Sequence, residues 1–312
     1  MDTKVHDVIM IGGGPTSLSA AVYTAREDLD TVIIEKAVVG GMAAITDQID
    51  NYPGFAEGVA GMELADQLQK QAERFGAQIE YGEVTAIKRD GDKLVVITDM
   101  GELHAKAVLV GTGSDYNKIG VPGEAEFYGR GVHYCATCDG AFYRDKKLAV
   151  VGGGNSGVQE AIFLTRFASH IDLLVRSTVK ASAVLQREMQ KYIDEGKISV
   201  HLQTTIDEIK ATDNKVTSVT LDTAGKKNEL AVDGVFVFVG LKPNTQFLEG
   251  TEVQLDEQKL VVTDETFHTD MKGVFASGDV RSGATMQVAS AVGEGASAAL
   301  AIRYYLEELD RE

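Results

Sequence analysis

Cys135 and Cys138 are the only cysteines of this 312-residue chain, and they stand two residues apart in "GVHYCATCDG" (131 to 140), with Asp139 directly after the second. A thiol pair at this spacing is suited to redox work: one thiolate attacks a substrate disulfide and the other resolves the mixed intermediate. Asp139 is placed to move the proton that this exchange requires. Zinc is the competing reading of C-x-x-C, but tetrahedral zinc needs four ligands. The chain has no further thiol, and its six histidines show no paired metal spacing, so no metal site is expected.

Two similar segments bracket the dithiol. "DVIMIGGGPTSLSAAVYTAR" (7 to 26) and "KLAVVGGGNSGVQEAIFLTRF" (147 to 167) each run from β-branched apolar residues through a triple glycine into a helix-period pattern. A strand buried on both faces reads as an unbroken apolar run, and a strand feeding a helix through glycines opens a βαβ unit. Such a turn brings backbone N–H groups up to a pyrophosphate. Two openings 140 residues apart predict an α/β protein with two Rossmann-like dinucleotide-binding domains. The further strands expected are 31–35, 171–176, 105–114, 234–240 and 273–279. The inferred order is a first domain over 1–116 and 245–312, with residues 117–244 inserted in it as a second domain carrying the CxxC. The segment "ASAALAIRYYLEELDRE" at the C-terminus is expected to form an amphipathic helix packed on the first domain.

In the first copy Gly12 and Gly14 fit G-x-G-x-x-G, with Pro15 next, while Ser17 takes the third glycine's place. That position serves helix-to-strand packing, so the serine strains the motif without removing the phosphate contact. Glu35 ends the second strand 21 residues after Gly14, where an acid can bind ribose hydroxyls. In the second copy Gly152, Gly154 and Gly157 complete the fingerprint, but the position equivalent to Glu35 is Val175, followed by Arg176. A cation in place of the acid favours a 2′-phosphate, and hence NADPH over NADH.

With 47 acidic residues against 30 basic ones, a net charge of −17 argues against nucleic acid and anionic membrane as partners. No stretch reaches the roughly 20 apolar residues of a membrane helix, and the opening "MDTKVHDVIMIGGG" has no secretory pattern. A cytoplasmic enzyme is expected.

The chain resembles the low-molecular-weight, bacterial-type thioredoxin reductases over nearly its whole length. The resemblance rests on "IGGGP", "NYPGF" (51 to 55), "VPGE" (121 to 124), "YCATCDGAFY" (134 to 143), "VVGGGNSG" (150 to 157), "GVFVFVGLKPNT" (234 to 245) and "GVFASGDV" (273 to 280). It implies FAD on the Gly12 to Pro15 loop with Glu35 at the adenosine ribose. Asn51, Thr112, Gly278 and Asp279 would line the rest, Asp279 toward the ribityl chain. Cys138 would be the thiol nearer the flavin, Cys135 the one attacking thioredoxin, and Asp139 the acid-base group. A homodimer whose two domains rotate during turnover is also implied.

Several positions depart from the family pattern. After the second-copy strand, "VRSTVKAS" is one residue shorter than the usual arginine-rich segment; Arg176 remains, Ser177 replaces a second arginine, and Lys180 stands near the last. A lysine cannot reproduce a guanidinium fork, so weaker NADPH binding is expected. Met42 and Gln287 fall at the flavin contacts, Met42 in place of a glutamine and Met286-Gln287 in place of Arg-Gln. Ala141 replaces a phenylalanine, leaving Phe142 and Tyr143 as candidate contacts for the protein substrate. Ferredoxin or a reduced flavin as electron donor, a dithiol oxidase on the same fold, and a flavin-binding regulatory module remain open alternatives.

Overall fold

The computed structural model describes residues 4–46 and 48–311. The first three residues of the charged lead-in and Glu312, the last residue of the expected C-terminal helix, lie outside the described residues. The chain divides into two compact units, Met1–Asp115 with Lys242–Glu312, and Tyr116–Leu241.

The first unit is built on a parallel core. Strand Val5–Ile11 pairs in parallel with Thr31–Glu35 on one side (Val8 opposite Thr31) and with Gly101–Val110 on the other (Val8 opposite Ala107). Gln78–Tyr81 extends the sheet beyond Thr31–Glu35. On the far side, Lys93–Thr98 and Val84–Asp90 add an antiparallel meander along the first half of Gly101–Val110. The second half of that strand pairs with Val274–Ala276. Thr31–Glu35 is buried at every position, which is why it reads as a continuous apolar run.

Helix Pro15–Arg26 opens directly after the glycines, with Pro15 in its first turn where a missing N–H costs nothing. Against it packs the helix Val288–Leu309, which buries Ala291, Gly295, Ala298, Ala299, Ile302, Tyr305 and Leu306. The small residues let the two helices approach closely: a Cβ on Gly295 would lie 2.1 Å from the Thr16 carbonyl oxygen. The C-terminal segment is thus a helix on the first unit, beginning eight residues earlier than the apolar pattern alone indicates, because Val288 to Gly295 reads as a turn-rich stretch in isolation.

In the second unit five parallel strands lie in the order Ile198–Leu202, His170–Val175, Lys147–Val151, Gly234–Val237, Val132–His133. Helices Asn155–Leu164 and Ala183–Asp194 follow the strands Lys147–Val151 and His170–Val175. A separate antiparallel sheet, Thr204–Thr212, Lys215–Thr223 and Lys226–Ala231, completes the unit. Each unit contains a strand, a glycine turn and a helix in succession, Val5–Ile11 into Pro15–Arg26 and Lys147–Val151 into Asn155–Leu164.

Candidate active site

The glycine turn of the first unit borders a cleft of about 620 Å³. Gly12 has φ +92°, and a Cβ there would lie 2.8 Å from the Gly111 carbonyl oxygen, so only glycine fits. Gly14 faces open space, with nothing nearer a notional Cβ than 3.8 Å. Backbone at that point is accessible to a pyrophosphate. Glu35 closes one side of the cleft; its carboxylate accepts the Gly13 N–H at 2.6 Å and the Ala37 N–H at 2.7 Å. The loop after it is tied back by the Gly40 N–H donating to the Gly13 carbonyl at 2.7 Å.

Met42, Thr112 and Asp279 line the same cleft. The Thr112 hydroxyl donates to the Asn244 carbonyl at 2.7 Å, fixing the floor. Burial, with the nearby Glu294 carboxylate adding to it, pushes the Asp279 carboxyl up to about 6. Glu294 was not legible as a site residue: it accepts the Gly278 N–H at 2.8 Å and is paired with Arg281 at 2.8 Å, so it holds the Gly278-Asp279 turn in place. Asn51 and Gln287 meet each other, the Asn51 Nδ2 donating to the Gln287 Oε1 at 2.9 Å. The cleft's volume, its open glycine backbone and the half-buried Asp279 carboxyl in its lining fit a dinucleotide such as FAD.

Ser17 is fully buried, its Oγ without a hydrogen-bond partner among the described residues, and a Cβ on Gly111 would fall 2.2 Å from that Oγ, so Gly111 has given up the volume that Ser17 takes.

The second unit repeats the turn with different chemistry. Gly152 has φ +146°, and a Cβ on Gly157 would meet the Gly152 carbonyl oxygen at 2.4 Å. Val175 packs where Glu35 stands in the first unit: a Cβ on Gly153 would lie 2.6 Å from its Cγ1, just as one on Gly13 would lie 3.2 Å from Glu35. Lys180 is the counterpart of Gly40, its N–H donating to the Gly153 carbonyl at 2.6 Å. Arg176 and Lys180 are both exposed, and neither has a carboxylate partner among the described residues.

Cys135 and Cys138 are joined as a disulfide. Cys135 caps the short helix Ala136–Asp139, its Sγ accepting the Cys138 N–H at 3.2 Å. Asp139 turns away from solvent toward His133, which it meets at 3.1 Å through Nδ1, and the other ring nitrogen of His133 meets the Tyr143 hydroxyl at 2.7 Å. The Tyr143 ring packs edge-on against His133 and Phe236 and is half-buried. A 3₁₀ turn at Gly140–Tyr143 brings it inward and leaves Phe142 outside at 53 % exposure. His133 was not singled out by the sequence, although a histidine two residues before Cys135 is a visible signal.

A duplicated dinucleotide-binding turn with a redox disulfide in the second copy defines the class of pyridine nucleotide and flavin-linked disulfide oxidoreductases. The family model described as pyridine nucleotide-disulphide oxidoreductase matches residues 6–295, and the chain belongs to that family. The thioredoxin reductase of Bacillus subtilis (strain 168) is 40% identical over 311 residues, which is 99% of this chain and 97% of that protein. The solved thioredoxin reductase of Streptococcus pyogenes MGAS5005 matches with a TM-score of 0.92 at 38% identity, covering 97% of this chain and 99% of that one. The thioredoxin reductase of Giardia duodenalis matches at 0.91 with 30% identity, over 98% and 100% of the two chains.

Proposed function

We propose that this chain is an FAD-dependent thioredoxin-disulfide reductase that draws its electrons from NADPH. The observation that carries the reading is the Cys135–Cys138 disulfide with Asp139 beside it, in a chain 40% identical along its length to a thioredoxin reductase. FAD is held by the Gly12 to Pro15 turn, Glu35, Met42, Thr112 and Asp279, with Gly278, Asn51 and Gln287 completing its surroundings. NADPH is held by the turn of Gly152, Gly154 and Gly157, with Arg176 and Lys180 toward the 2′-phosphate. Bound FAD supplies two-electron transfer between the nucleotide and the disulfide.

The remaining chemistry belongs to the chain. Once the disulfide is reduced, the Cys135 thiolate attacks one sulfur of the thioredoxin disulfide; a Cys135-to-thioredoxin bond forms and a thioredoxin thiolate leaves. Cys138 gives its proton to Asp139 and attacks the Cys135 sulfur, restoring the internal disulfide and releasing the second thioredoxin thiolate. Asp139 returns the proton to the departing sulfur. Phe142, exposed beside the pair, offers an apolar contact for the protein substrate.

A cytoplasmic setting suits a dithiol that must be re-reduced in every cycle. No helix among the described residues is long and apolar enough to cross a membrane. A homodimer is supported by Tyr23, Leu300 and Tyr304, large side chains left exposed on two helices that pack together in the first unit.

The test is anaerobic titration of the flavin-loaded protein with NADPH, and with NADH in parallel, followed by addition of oxidised thioredoxin. Bleaching of the flavin by NADPH and its recovery on adding thioredoxin support the reading, and a Cys135→Ser protein should bleach without recovery. If dithionite reduces the flavin and neither nucleotide does, the donor is a ferredoxin or a reduced flavin. Recovery at the wild-type rate in Cys135→Ser overturns the disulfide pathway.

A further inference from the structure

The Asp139 carboxylate does not stand alone. His133 is 5 % exposed and both its ring nitrogens are engaged, Nδ1 with Asp139 Oδ2 at 3.1 Å and Nε2 with the Tyr143 hydroxyl at 2.7 Å. Its ring is stacked on Phe236 at 5.1 Å between centroids, and Tyr143 closes against both rings. Burial, with the Asp139 and Asp233 carboxylates adding to it, pushes the Tyr143 hydroxyl above its ordinary range, so the phenol keeps its proton.

These contacts fix the tautomer. An ionised carboxylate only accepts, so Nδ1 carries the proton toward Asp139, and Nε2 is left as an acceptor for the Tyr143 O–H. The chain Tyr143 O–H to His133 to Asp139 holds Oδ2 in place.

We propose that His133 is the positioning residue of the dithiol: its Nδ1–H holds the Asp139 carboxylate in one orientation for proton exchange with the Cys138 sulfur. In the resolving step the Cys138 S–H bond breaks and its proton goes to the Asp139 carboxylate. The Cys138–Cys135 bond forms, and the Cys135-to-thioredoxin bond breaks with its electron pair leaving on the thioredoxin sulfur. That sulfur then takes the proton back from Asp139. His133 gains and loses nothing in this cycle; it holds the carboxylate in place through Nδ1–H.

The groups facing His133 are Asp139 and Tyr143 by hydrogen bond and Phe236 by stacking, while Asp233 acts on Tyr143 from the turn before strand Gly234–Val237. The inference rests on the disulfide-reductase reading above.

The experiment uses flavin-loaded protein reduced with dithionite and mixed rapidly with oxidised thioredoxin, or with a small aromatic disulfide as a second acceptor. His133→Phe keeps the stack and loses both hydrogen bonds. It should slow dithiol oxidation by roughly tenfold or more, with KM for thioredoxin and the rate of flavin reduction within about twofold. His133→Asn retains a donor near the Nδ1 position but cannot ionise. It should recover most of the rate.

A His133→Phe protein with the wild-type rate overturns the proposal, as does a His133→Asn protein as slow as His133→Phe. Failure of the function reading looks different: the wild type would then reduce the small disulfide and leave thioredoxin untouched, while the effects of the two variants on the small disulfide would still decide the role of His133.

Discussion

Ser17 and Gly111 share one volume. A Cβ on Gly111 would lie 2.2 Å from Ser17 Oγ, whereas in the second unit Gly157 faces the Gly152 backbone and the residue equivalent to Gly111 is Phe238. The equivalence follows from backbone pairing, since the Gly111 N–H donates to the Ile11 carbonyl at 2.9 Å as the Phe238 N–H donates to the Val151 carbonyl at 2.8 Å. Each unit has therefore traded bulk between helix and strand in the opposite direction.

The trade predicts a compensating pair. Gly111→Ala should destabilise the chain by about 1–3 kcal/mol through overpacking, and Ser17→Gly in the same chain should restore part of the loss. Thermal unfolding of the two single variants and the double variant measures it. Gly157→Ser, which drives a side chain into backbone, should cost more than Gly111→Ala.

On the proposed function Glu35 holds the adenosine ribose of FAD. Glu35→Ala should lower flavin content and weaken FAD binding at least tenfold, roughly the worth of a charge-assisted hydrogen bond. Flavin absorbance per chain after purification and titration of the stripped protein read this out. Part of the effect comes from the Gly13 and Ala37 N–H groups, which lose their acceptor.

Arg176 follows Val175 with no acid beside it. Arg176→Ala should raise KM for NADPH by about tenfold or more and leave KM for NADH nearly unchanged, because only NADPH carries the 2′-phosphate. Lys180→Ala should have a smaller effect in the same direction. An equal change for both nucleotides would place Arg176 away from the phosphate.

Acid should remove a defined part of the stability. Burial alone would raise the Asp7 carboxyl, but hydrogen bonds from Lys106 and the Asp30 N–H, with the nearby positive charge, hold it below the usual aspartate value. A folded-state pKa lowered in this way stabilises the native chain above about pH 3.9, and the contribution is lost as pH falls through the lowered value. Asp7→Asn should therefore be less stable than wild type at pH 7, with the gap closing toward pH 3, as denaturant melts across that range would show.

Large residues left outside on the first unit define the expected subunit contact. Tyr304, 56 % exposed, lies on the same helix as Leu300, and Tyr23 on the helix packed against it. Tyr23→Glu with Tyr304→Glu should shift the molar mass measured by light scattering from two chains to one, with little change in secondary structure.

The sequence shows those elements whose burial leaves a one-dimensional trace. Thr31–Glu35 lies between two strands and under a helix, so its apolar run has the strand's own limits. The three antiparallel strands between 204 and 231 escaped notice, because in Lys226–Ala231 every residue is at least partly exposed and the composition is that of a loop. Glu35 could be found by counting from a glycine, and Val175 and Arg176 by counting from its copy. Glu294 could not, since it reaches Gly278 only because the last helix folds back over the turn. His133 and Tyr143 lie either side of the cysteines in the chain, and only the tight turn at Gly140–Tyr143 makes them partners of Asp139. Tyr143 read as a surface aromatic for the same reason: its direction is set by that turn and not by its neighbours in sequence.

The first unit is assembled from both ends of the chain, and its cleft is lined at once by Gly12, near the start, and by Val288 and Ala291, near the finish. During synthesis the intervening 116–241 segment is contiguous and complete before the last helix has been made. A cleft that includes Val288 and Ala291 in its lining is complete only once residues beyond the 116–241 segment have been made.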